Sequence, residues 1–173
     1  KVSFVILGNM AIATALLIAS VMIAIFLGSL STAEREMLSD RGKYAITETC
    51  LALTIFRNEL TPPIIVMFFA LLFLKAFHWL ARSRVDQLEQ IMPVGYSSHI
   101  RLISLLGVLT AADYYLTEYC VNFVMGSGKT VLILFAFEFG LQGIVLVNIA
   151  VRYLLWHIDT NLSAGLESKG LYL

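Results

Sequence analysis

An all-α, polytopic membrane helix bundle is the fold this sequence predicts, on three observations. Hydrophobic residues make up 59% of its 173 positions and charged residues only 14%, with a mean hydropathy of +0.84. A soluble domain would carry about 25% charged residues. The apolar residues fall into five long stretches, and a helix needs about 20 of them to cross the hydrocarbon. The later stretches each hold a lone ionisable residue, at Glu48, Lys75, Asp113 and Glu138. A charge at bilayer depth costs several kcal/mol unless it faces protein or water. A bundle with a polar interior follows.

The elements are expected in this order. Val2 to Ala33 carries no charge, and a span is placed at 4–27. It is too long for a signal-peptide core and lacks a cleavage-like end. The chain does not begin with Met, so it is expected to be a piece of something longer. Residues 31–42 alternate charge signs; a short interfacial helix or turn and a plain solvated connector are both open. A short second span is placed at 43–57. Arg57-Asn58-Glu59-Leu60-Thr61-Pro62-Pro63 reads as a tight turn, with proline suited to the first turn of a third span at 63–81. The segment 82–99 is polar and punctuated by Pro93 and Gly95. A fourth span at 100–121 leads into a loop ending Gly126-Ser127-Gly128, and a fifth occupies 130–154. Residues 1–157 thus form the bundle, and 158–173 a cytosolic connector into a further span. No internal repeat is evident.

Basic residues orient the bundle. Arg35, Arg41, Lys43, Arg82, Arg84, Arg101, Arg152 and Lys169 fall on one side; Lys1, Arg57 and Lys129 fall on the other. The first side is assigned to the cytosol, where these side chains also snorkel towards anionic headgroups.

Several classes are disfavoured. A net charge of zero argues against a nucleic-acid partner. Cys50 and Cys120 give neither a disulfide framework nor a zinc spacing. Gly126-Ser-Gly-Lys-Thr130 resembles the end of a phosphate loop, but Phe123 stands where the pattern needs glycine. Asn161-Leu-Ser163 is a glycosylation sequon by letter, on the side assigned to the cytosol. His157, after Trp156, reads as interfacial. No His-Glu-x-x-His is present, and only Asp113 is an intraspan aspartate, so no catalytic residue is assigned. A small-solute transporter would show broken helices or a repeat between halves.

The candidate functional residues are therefore those that line a path or brace its walls. Lys75, His78 and Arg82 share one helix face, with Trp79 beside them. Lys75 lies about 10 Å deeper than Arg82, which favours a water-filled cavity over a snorkelling helix end. Glu48 matches Lys75 in depth, and an ion pair is expected. Asp113 and Glu138 also match each other, and two carboxylates at one level disfavour joint ionisation. Thr110, Tyr114 and Thr117 continue a polar stripe around Asp113. Gln142 follows Glu138 at i+4, and Asn148 continues towards the cytosol. Lining a cavity and tying helices together both stand as roles for the set Glu48, Lys75, His78, Asp113, Glu138, Gln142 and Asn148.

Two runs resemble the synoviolin (HRD-type) ubiquitin ligases of the endoplasmic reticulum. They are Ala33-Glu-Arg-Glu-Met-Leu-Ser-Asp-Arg-Gly-Lys-Tyr-Ala-Ile-Thr-Glu-Thr-Cys-Leu-Ala-Leu-Thr-Ile-Phe-Arg57 and Phe73-Leu-Lys-Ala-Phe-His-Trp-Leu-Ala-Arg-Ser-Arg-Val-Asp86. Asp113-Tyr114 and Phe137-Glu138-Phe139 extend the resemblance more loosely, and a fungal member is expected. The resemblance implies an eight-span membrane domain, here without its first span, and a cytosolic RING domain whose zinc lies outside this chain. It implies a multi-pass protein of the endoplasmic-reticulum membrane. It also implies a cytosol-open cavity through which misfolded proteins return for ubiquitination and degradation. The implied partners are a derlin-type rhomboid-like protein, a Sel-1-like luminal protein, a HERP-like scaffold, a ubiquitin-charged E2 enzyme, membrane lipid and a second copy of the ligase. The related gp78-type ligases share this architecture and remain an alternative.

Overall fold

The computed structural model describes residues 2–58, 61–90, 95–127 and 130–170. Among these residues every regular element is helical: α1 (Val2–Met22), a π-helical turn (Ile23–Leu27), α2 (Thr32–Ile55), α3 (Pro62–Gln90), α4 (Tyr96–Ser127) and α5 (Thr130–Gly170).

Three of these are long and apolar enough to cross a membrane: α3, α4 through Gly126, and α5 over Val131–Thr160. Among the described side chains, α1 and the π-helical turn are apolar over Ala13–Leu27. Helix α2 carries seven charged residues, from Glu34 to Glu48, and is the least apolar of the five.

Local chemistry explains the boundaries. The π-helical turn stops at Gly28, whose φ of +74° suits a residue without Cβ; its N–H donates to the Ile23 carbonyl. Helix α2 opens with a capping box: the Glu34 N–H donates to Ser31 Oγ, and the Ser31 N–H donates to Glu34 Oε2. The run 31–42, expected as a separate element, is thus the cap and first three turns of α2. Thr61 precedes α3, and Pro62 and Pro63 fill its first turn, where their missing N–H groups are no loss.

Helices α3 and α4 outrun their expected spans. Buried Val85 and Leu88 carry α3 through the polar segment to Gln90, and Asp86 and Glu89 pair with Arg152 of α5 at 2.6 and 2.5 Å. Helix α4 continues through Gly126 to Ser127, where a loop was expected. Helix α5 continues through the expected connector to Gly170. Pro93 and Gly128 lie outside the described residues.

Helix α5 packs most closely against α4 and next against α3, which in turn meets α2 and α4. Phe68, Leu71, Phe77, Leu80 and Ala81 are buried against Leu105, Leu109, Phe135 and Phe139. The rings of Phe68 and Phe135 meet edge to face, 4.6 Å between centroids. The start of α3 shares a hollow with the end of α4 and the start of α5, through Pro63, Phe123 and Leu132. The three helices therefore alternate in direction, and most basic side chains gather at the other end.

Candidate functional site: a hollow between three helices

Three helices each contribute residues at i, i+3, i+4 and i+7 to one hollow of about 470 Å³. They are Arg41, Tyr44, Ala45 and Glu48 from α2; Lys75, His78, Trp79 and Arg82 from α3; and Glu138, Leu141, Gln142 and Val145 from α5. This spacing keeps each set on a single helix face. Each stripe is about 10 Å tall, set by the helical rise.

Its charge pattern is ordered. Lys75 Nζ lies 3.1 Å from Glu138 Oε2 and 3.8 Å from Glu48 Oε2. Lys75 and Glu138 are half-buried, whereas Glu48 is mostly exposed. The expected Lys75–Glu48 pair is present, but Glu138 is the nearer partner. The Arg41 guanidinium sits 5.9 Å from the Trp79 ring centre, within reach of a cation–π contact.

His78 joins this hollow to the packed core. A carbonyl can only accept, so His78 Nδ1–H donates to the Leu74 carbonyl at 2.8 Å. A single proton then serves the 2.8 Å contact between His78 Nε2 and Asp113 Oδ2. Whether ring or carboxyl holds it, the pair is neutral overall. Both side chains are only 4% exposed. Asp113 therefore meets His78, not Glu138 as depth matching suggested. The reason is helix length. Counting from the end of α4 at Ser127, Asp113 lies about 21 Å up, whereas Glu138 lies about 12 Å up α5. An α4 ending at 121 would have put them level.

Gln142 is buried in the wall, and neither its amide nitrogen nor its amide oxygen has a partner among the described residues; Asp113 Oδ1 is in the same condition. Such groups require hydrogen-bonding company, because burying them unsatisfied costs about 1–3 kcal/mol. Thr110 and Thr117 instead turn their hydroxyls onto the carbonyls of Leu106 and Asp113, and Tyr114 is exposed. The two threonine hydroxyls beside Asp113 are thus satisfied within α4.

The hollow has neighbours above and below. Arg82 and Val145 also border a smaller space of about 130 Å³ with Asn148 and Arg152, towards the basic end. Glu48, Lys75 and Glu138 also border a space of about 290 Å³ whose other walls include Ile55, Phe56, Phe68, Leu71 and Phe135. The ion cluster is therefore the boundary between a mixed upper space, where charged groups stand among apolar side chains such as Leu141 and Val145, and a more apolar lower one.

The sequence reading missed Arg41 and Tyr44. Counting back from Glu48 by three, four and seven residues would have found Ala45, Tyr44 and Arg41. No three His, Cys, Asp or Glu residues come together as a metal site among the described residues.

Fold and hollow together define a polytopic helix bundle of membrane type with an ionisable interior. Over residues 1–173 the chain matches the family described as E3 ubiquitin-protein ligase synoviolin-like, TPR repeats, and it belongs to that family. It is also 28% identical over 136 residues to the ERAD-associated E3 ubiquitin-protein ligase hrd1 of Schizosaccharomyces pombe. The match covers 78% of this chain and 20% of that relative, so the chain corresponds to about a fifth of the longer protein.

Proposed function

We propose that this chain is the membrane domain of an endoplasmic-reticulum ubiquitin ligase of the degradation pathway. Its three-stripe hollow is a hydrated recess, open to the cytosol, for polypeptides leaving the membrane. One observation carries this reading: in a chain of this family, α2, α3 and α5 each bring ionisable or polar side chains (Arg41 and Glu48; Lys75, His78 and Arg82; Glu138 and Gln142) onto one space. An unfolded segment in hydrocarbon leaves backbone groups unsatisfied at several kcal/mol each. Water and side chains such as Gln142 relieve that penalty over the polar half of the path.

Ubiquitin transfer itself belongs to a RING domain outside this chain, with its zinc and its E2 enzyme. A derlin-type protein, a Sel-1-like luminal protein and a HERP-like scaffold complete the proposed assembly, and a second copy of the ligase is a further partner.

The test places a photocrosslinking residue in the full-length protein at Leu141 or Val145, in the wall, or at Val66 or Ile144, which are exposed away from it. A misfolded client stalled in transit should crosslink from the wall positions alone. Equal yields from all four would overturn the conduit. Saturable solute flux by the protein alone in liposomes would replace it with a transporter.

A further inference from the structure

A second hollow, of about 300 Å³, lies between the π-helical turn, α3 and α4 at the basic end. It shares no lining residue with the three-stripe hollow. Its charged lining consists of Arg84 and Arg101. Arg84 is already committed: its Nε lies 2.8 Å from buried Glu34 Oε1, and its Nη2 donates to the Ser29 carbonyl and to Glu34 Oε2. Arg101 has no ion-pair or side-chain hydrogen-bond partner among the described residues. Two arginines against one glutamate leave a single uncompensated positive charge.

The backbone is shaped to admit that charge. Arg101 Nη1 sits 3.0 Å from where a Cβ at position 28 would stand, and Gly28 also has the positive φ. A side chain there would push the guanidinium away. On α3, Leu88 and Gln87 line the hollow near the helix end and Arg84 lies about one turn deeper. On α4, Ser98 and Arg101 lie nearest the helix end, followed by Leu102 and Leu105. Ser98 to Leu105 spans about 10 Å. Phe26 and Leu27 close the apolar side.

We infer that this hollow binds a phosphate ester, with Arg101 and Ser98 on the phosphate oxygens and the leucines against an attached apolar group. Arginine's fork of donors matches phosphate oxygens. The net single charge matches a phosphodiester monoanion. Leu102, Leu105, Phe26 and Leu27 beside those polar groups match the acyl chains of an anionic phospholipid whose headgroup stays at Ser98 and Arg101.

The experiment uses the full-length protein in neutral detergent, with three probes: short-chain phosphatidylserine, short-chain phosphatidylcholine and inorganic phosphate. The unfolding midpoint and lipid retention in native mass spectrometry are read. Phosphatidylserine should raise the midpoint and be retained more than phosphatidylcholine. Arg101→Gln should weaken the response about tenfold, the loss of one charge-assisted bond. Ser98→Ala keeps both arginines and should weaken it about threefold. Arg57→Gln, at the opposite end, should change nothing. A response to inorganic phosphate as large as that to lipid, with the same Arg101 dependence, supports the phosphate site and assigns it to soluble esters. Responses that ignore both Arg101 and Ser98 would overturn the inference.

Discussion

The two faces of α3 handle polar groups differently. Towards α4 the helix buries His78 against Asp113 in a neutral, hydrogen-bonded pair, sealed by large apolar side chains. Towards α2 it presents Lys75 and Arg82 to open space, and Lys75 shares two carboxylates at unequal distances. Helix α2 buries only Glu34 and Ala45 along its length, whereas α3 buries eleven residues. His78 and Asp113 tie α3 to α4 inside the core, whereas Lys75 borders the hollow and also bridges α3 to α2 and α5.

Four single substitutions, two of them extended to double variants, probe these contacts and the α2 cap, in order of expected effect. His78→Leu leaves Asp113 buried without its partner and should destabilise the protein by about 3 kcal/mol. That is the low end for an orphaned buried group, because the unfolded chain in membrane also finds partners. Adding Asp113→Leu should restore most of the loss. Unfolding midpoints in detergent measure both, and a double variant no better than His78→Leu alone would mean that the pair does not act as a unit. Ser31→Ala removes one half of the capping box and should cost about 1 kcal/mol by the same measurement.

Glu138→Gln should cost about as much, through its 3.1 Å contact with half-buried Lys75. A double-mutant cycle with Lys75→Met should show coupling, whereas strict additivity would exclude a direct interaction. Glu48→Gln should change stability by less than about 0.5 kcal/mol, because its carboxylate is mostly exposed and 3.8 Å away. Coupling of Lys75 to Glu48 stronger than to Glu138 would reverse the assignment of partners.

Hydration separates the two faces in a different way. In a Cys50→Ser background, cysteine at 145 should react with a water-soluble thiol reagent at least about tenfold faster than cysteine at 135, which is sealed in the core. Equal rates would contradict a wet upper space.

Much of this was legible in the residues, and the gaps have physical causes. Helical spacing alone put Lys75, His78 and Arg82 on one face, and they do line one hollow. It also placed Gln142 one turn from Glu138. Helix ends were harder to read. Polar residues at 82–90 resemble a loop in sequence, but Arg152 and the buried Val85 and Leu88 keep them helical. Gly126 looks like a breaker, yet α4 passes through it. Those few extra residues shift every depth estimate on α4 by about 9 Å, and so Asp113 was assigned to Glu138 instead of His78. The lower, apolar space had no signal at all, because Ile55, Phe68 and Leu71 look like any lipid-facing or core residues.

The Glu34–Arg84 clasp has a mechanical corollary. It fastens α2 to α3 at the first turn of α2, and Leu38, Ala52, Leu53 and Phe56 carry the contact with the core further along. Apolar contact is non-directional, whereas a charge-assisted pair fixes position. The clasp therefore sets the register of α2 along α3, and with it the level at which Glu48 reaches Lys75.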